Sequence, residues 1–113
     1  MRFLIQSVAA LLIVLAPARA WATAPTDKEV CLTRWEQEDP AYDRTIPACI
    51  RIGQSVLEIL EERADAYARA GGDYESLGDL PNAALYVRKA LALNPASSYV
   101  QEILWRIERA APK

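Results

Sequence analysis

Cys31 and Cys49 are the residues whose chemistry the chain most invites, because they are its only cysteines. A dithiol redox centre favours a Cys-x-x-Cys spacing, which these two lack. A tetrahedral zinc site needs four ligands, and a chain with 2 Cys and no histidine has no obvious second pair to offer. An even cysteine number in an exported chain points to a disulfide; the alternatives are two buried free thiols or, more remotely, redox or metal chemistry. Closing such a loop is expected to contribute about 3 kcal/mol by restricting the unfolded chain. Paired carboxylates could serve as general acid and base, and Glu61-Glu62 and Asp73 with Glu75 are such pairs. Neighbouring acids on a surface helix are far more often solvated than catalytic. Gly71-Gly72 follows a helical pattern and not a strand, so it does not read as a phosphate cradle. These residues argue against an enzyme, and no cofactor is expected.

The compartment implied by a disulfide agrees with the start of the chain. Met1-Arg2 precedes an apolar run from Phe3 to Ala16, broken only by Gln6 and Ser7, and Pro17 follows. The triplets Ala18-Arg19-Ala20, Ala20-Trp21-Ala22 and Ala22-Thr23-Ala24 offer the small residues a signal peptidase accepts. Residues 1–22 therefore read as a secretory signal peptide cleaved between 20 and 25, which makes the mature protein periplasmic or secreted. An uncleaved anchor is the alternative, but about 14 apolar residues fall short of the roughly 20 that a spanning helix needs. Lipidation at Cys31 is disfavoured, since Asp27-Lys28-Glu29-Val30 precedes it.

The whole chain carries 13 basic and 15 acidic side chains, a formal charge of −2, and cleavage would remove Arg2 and Arg19 but no acid. Nucleic acid is a poor partner for so acidic a chain, because phosphate binding relies on clustered Lys and Arg. No basic run or second apolar segment suggests a membrane surface, so no membrane insertion is expected after cleavage. About ninety residues remain, enough for one small domain whose stability is marginal unless something staples it.

Residues 26–38 place Val30, Cys31 and Trp35 at helical spacing, with Thr26 or Asp27 as cap. Asp43 opens a second helix through Ile46, Cys49, Ile50 and Gly53, with Pro47 expected in its first turn. A longer helix is expected from Ser55, where Val56, Leu57, Ile59, Leu60, Ala64, Tyr67 and Ala68 keep a helical period. Gly71-Gly72 near its end predicts a close helix approach, with Ala83 the neighbour. Gly78-Asp79-Leu80-Pro81 reads as a stop and restart, and Asn94-Pro95 as the end of the next helix. Ser97 or Ser98 then caps a last helix whose stripe is Val100, Ile103, Leu104 and Ile107. Trp105 lies roughly 140° from the centre of that stripe. It either lies flat on its own helix or serves as a contact anchor.

From Ala64 to Pro95 the small and aromatic residues fall at the spacings of a two-helix repeat, and residues 64–97 resemble a tetratricopeptide repeat. Tyr67 stands for the first aromatic, Ala70-Gly71 for the Leu-Gly pair, Tyr74 for the tyrosine and Gly78 for the turn. Ala83, Val87 in place of an aromatic, Ala90 and Pro95 complete the pattern. Residues 26–54, from Cys31 through Asp43-Arg44-Thr45-Ile46-Pro47-Ala48-Cys49, look like the degenerate, cysteine-bearing first repeat of small exported tetratricopeptide proteins of Gram-negative bacteria. The resemblance implies an all-α fold: antiparallel helical hairpins of about two repeats with a capping helix at 98–110, one domain over 26–110.

In that family the first helices of successive repeats line a concave groove that takes a peptide or helix of a partner protein. Transferred here, the groove singles out Asp65, Ala68, Arg69, Gly72, Glu75 and Ser76. Versions that grip a C-terminal carboxylate use lysine and asparagine, and of that pattern only Arg69 is represented. The expected function is a non-catalytic interaction module of the envelope, binding an unidentified protein through the groove or the Trp105 face. A homodimer paired through the last helix, or an accessory subunit of an envelope enzyme, is the alternative.

Overall fold

The computed structural model describes residues 26–32 and 42–112. The signal-peptide reading of residues 1–22, and the part of the first predicted helix that contains Trp35, lie outside the described residues. Within them the fold is all-α: α1 (Asp27–Leu32), α2 (Tyr42–Gln54), α3 (Leu60–Ser76), α4 (Leu80–Leu93) and α5 (Ser98–Ala110).

Local chemistry sets most of the helix ends. Thr26 Oγ1 accepts from the Glu29 amide while the Glu29 carboxylate accepts from the Thr26 amide, both at 3.2 Å. This reciprocal capping box satisfies two donors that the start of α1 would otherwise leave unpaired. Gly78 has φ of +80°, a left-handed conformation that a side chain would resist, and it lets the chain leave α3. Asp79 then accepts from the Asn82 amide at 3.3 Å to cap α4, and Ser97 does the same for Val100 at the start of α5. Asn94 ends α4.

Two expectations about helix ends need correction. Pro47 sits inside α2 and not in its first turn. Its ring is exposed, as is Asp43 four residues before it, so the backbone carbonyl that proline leaves without a donor is on the watered side of the helix. The third helix begins at Leu60 and not at Ser55. The Ser55 amide donates to the Ile52 carbonyl at 3.1 Å and the Glu58 amide to the Ser55 carbonyl at 3.2 Å, which turns the chain before α3 starts.

α3 is the central element, flanked by α2 and α4. Its inner faces are built from Ala64, Ala66, Ala68, Ala70 and Gly71, all buried, so its neighbours come close. A Cβ on Gly71 would lie 2.5 Å from Val87 Cγ2 and 3.0 Å from the Ala83 carbonyl oxygen. One part of the core joins Tyr67 and Ala68 to Ala83, Val87 and Ala90 of α4 and to Val100, Ile103 and Ile107 of α5. The other surrounds the Cys31–Cys49 disulfide with Ala48, Ile52, Ala66 and Ala70. That bond, with Cα atoms 5.1 Å apart, ties α1 to α2. Tyr86 of α4 stacks on both Tyr67 and Tyr74, with centroids 6.0 and 5.6 Å away. Burial, helped by Tyr86 and Asp79, holds the Tyr74 hydroxyl above its ordinary pKa. Across α2 and α3, buried Thr45 donates to the buried Asp73 carboxylate at 3.1 Å.

Candidate interaction face

α3 needs only part of its circumference to meet α2 and α4. Glu62, Asp65, Arg69, Gly72 and Ser76 recur at three- and four-residue intervals and so share one remaining stripe. α1 meets α3 at Glu62, one end of this stripe, and α5 meets it at Glu75, near the other, so both flank the same side of α3.

Ion pairs hold both ends. Lys28 Nζ of α1 lies 2.9 Å from Glu58 and 3.2 Å from Glu62. Hydrogen bonds to Glu58 and then to Glu62 raise the Lys28 pKa, and the bond to Lys28 lowers that of Glu58. Arg106 of α5 grips Glu75 through Nε and Nη2, at 2.8 and 2.6 Å. These bonds keep the Glu75 carboxyl below the usual range against the opposing effect of burial. Between the ends, Arg69 Nε meets Asp65 Oδ2 at 2.9 Å, and the Arg69 side chain is only 14 % exposed. Ser76 Oγ donates to the Gly72 carbonyl at 3.1 Å. A Cβ on Gly72 would meet nothing within 4 Å among the described residues.

The predicted set is therefore only partly assembled. Asp65, Arg69, Gly72 and Ser76 lie along the stripe, with Glu75 at its edge turned toward α5. Ala68 is a correction: it is buried against the α4 and α5 side of the core, one position from Arg69 and so about 100° around the helix, and it has no surface to offer a partner. Trp105 is 58 % exposed. The Arg109 guanidinium lies 4.5 Å from its ring centroid, a cation–π stack along α5. Trp105 adjoins Arg106, which places its ring about 100° around α5 from the pair facing α3.

Sequence reasoning missed the partners of this face. Lys28, Glu58 and Arg106 were not singled out, because pairs between helices leave no local spacing to detect. A further cleft of about 370 Å³ opens between the start of α1 and the end of α2, lined by Asp27, Lys28, Arg51, Ser55 and Glu58 among others. Arg51 binds Asp27 through two nitrogens at 2.9 and 2.8 Å, and this hydrogen bonding depresses the Asp27 carboxyl. The cleft is thus lined by charges already matched to one another. Among the described residues no group of three or more His, Cys, Asp or Glu is arranged to hold a metal, and no helix is long and apolar enough to cross a membrane.

No family model, curated protein or solved structure matches this sequence.

Proposed function

We propose that the chain is a non-catalytic interaction module of tetratricopeptide type, exported to the bacterial envelope, whose α1, α3 and α5 side docks a helix or extended segment of a partner protein. The observation that carries this reading is Gly72. A mid-helix glycine costs about 1 kcal/mol relative to alanine, so it needs a reason. Gly71 has one in Val87, whereas no described neighbour requires Gly72 to lack a side chain. A partner backbone lying against the stripe would supply that reason. The disulfide and the absence of a membrane-capable helix among the described residues are compatible with a non-cytoplasmic setting. Trp105 offers a second surface, although Arg109 already covers part of its ring.

The test is a pull-down of the oxidised protein from envelope extract with wild type and Gly72→Gln as baits. A stoichiometric partner captured by the wild type and lost with a Gly72→Gln variant of unchanged melting temperature would support docking on this face. Equal capture by both baits would remove it and turn attention to Trp105→Ala.

A further inference from the structure

The segment between α2 and α3, together with the first residue of α3, puts four aliphatic residues in water within five positions. Val56 is 85 % exposed, Leu57 92 %, Ile59 59 % and Leu60 56 %. The loop that carries them is pinned. Besides its two backbone turn bonds, the Glu58 carboxylate is held by Lys28, and Arg63 Nε donates to the Gly53 carbonyl at 2.8 Å. The backbone bonds and ion pairs thus tie down the polar parts of the segment and leave its aliphatic side chains outward.

We propose that this loop is a self-association surface on which a second copy of the chain packs, Val56, Leu57, Ile59 and Leu60 against the same residues of its partner. Two arguments select this occupant. The first is area. A standard interface buries about 800 Å² per partner, and homodimer interfaces are about 65 % apolar, which calls for roughly 500 Å² of apolar surface from each copy. Four aliphatic side chains at these exposures supply an area of that order, near the largest patch a typical monomer shows. The second is charge. Glu58, Glu61 and Glu62 border the patch, but so do Lys28 and Arg63, so a two-fold copy meets both signs and not a wall of like charge. A bilayer fits less well. The loop has no tryptophan, tyrosine or basic cluster to anchor at a headgroup layer, and Glu58, Glu61 and Glu62 in and beside it outnumber Lys28 and Arg63, which disfavours anionic lipid.

This surface adjoins the α1, α3 and α5 face at Lys28, Glu58 and Glu62, but its four aliphatic residues are not among those of the stripe, so variants within each surface let the two readings fail separately. Sedimentation of the oxidised protein from the micromolar to the hundred-micromolar range is expected to show a concentration-dependent dimer. Leu57→Asp should weaken it at least tenfold without moving the melting temperature, since Leu57 is almost wholly exposed. Val56→Ser should weaken it in the same direction, whereas Trp105→Ala and Gly72→Gln should leave it intact. A monomer throughout, a dimer indifferent to Leu57→Asp and Val56→Ser, or a dimer lost with Trp105→Ala would overturn the proposal. So would a monomer that floats with phosphatidylcholine vesicles and loses that binding with Leu57→Asp.

Discussion

Gly71 and Gly72 are chemically identical neighbours in opposite situations. Alanine at position 71 would drive its methyl into Val87 and the Ala83 backbone, so Gly71→Ala is expected to destabilise the fold by about 1–3 kcal/mol. Alanine at position 72 meets open space in the interior of a helix, so Gly72→Ala should stabilise by up to about 1 kcal/mol. Urea titration of both variants checks the pair, and equal effects would show that the two sites are not distinguished by packing. Glu75 makes a prediction about acid. Its pKa is depressed in the folded state, so its contribution is complete above the unfolded carboxylate range and disappears as pH falls through the folded value. The melting-temperature gap between wild type and Glu75→Gln should therefore be constant near neutrality and close on acidification; a gap unchanged at low pH would mean that the Arg106 pair is not its source.

At the scale of the elements, the helix ends written in the sequence are those with local chemistry. Gly78, Asp79, Asn94 and Ser97 each act within a few residues of themselves, and each marks an end in the fold. Replacing Asp79 by alanine should cost about 1 kcal/mol, measured by denaturant unfolding, because the Asn82 amide loses its acceptor. The start of α3 was not legible in the same way. Val56, Leu57 and Leu60 fit a helical period by type, and only a turn closed onto Ile52, with Glu58 held by Lys28 from another helix, separates Val56 and Leu57 from α3, which Leu60 opens. For the candidate face, the 3.6-residue period alone unites Asp65, Arg69, Gly72 and Ser76. Ala68 stands beside them in the same family transfer, but the helix geometry turns it inward. Arg106 and Lys28 could not be read, because nothing near Glu75 or Glu62 in the chain announces a partner on α5 or α1.

For the whole molecule, the small residues on both sides of α3 let its neighbours approach closely, and Ile52, Val87, Val100, Ile103 and Ile107 of those neighbours supply much of the bulk of a modest core. Such a fold has little to spare, and removing the disulfide should be felt strongly. Reduction, or Cys31→Ser with Cys49→Ser, is expected to cost about 3 kcal/mol and to lower the melting temperature by roughly 10–20 °C. An unchanged melting temperature would mean that the bond constrains nothing the unfolded chain explores. α1 depends on it most. Six residues are too few to hold a helix in water alone, and apart from the bond its ties to α2 and α3 include ion pairs that water can reach.

That dependence gives the cysteines a role in time as well as in space. Without the bond, α1 would be left with its ion pairs and the packing of Val30, whereas Ala48 and Ile52 of α2 would still have Ala66 and Ala70 of α3 beside them. In the export proposed above, a single oxidation would therefore be the step that fixes α1 on the rest of the fold.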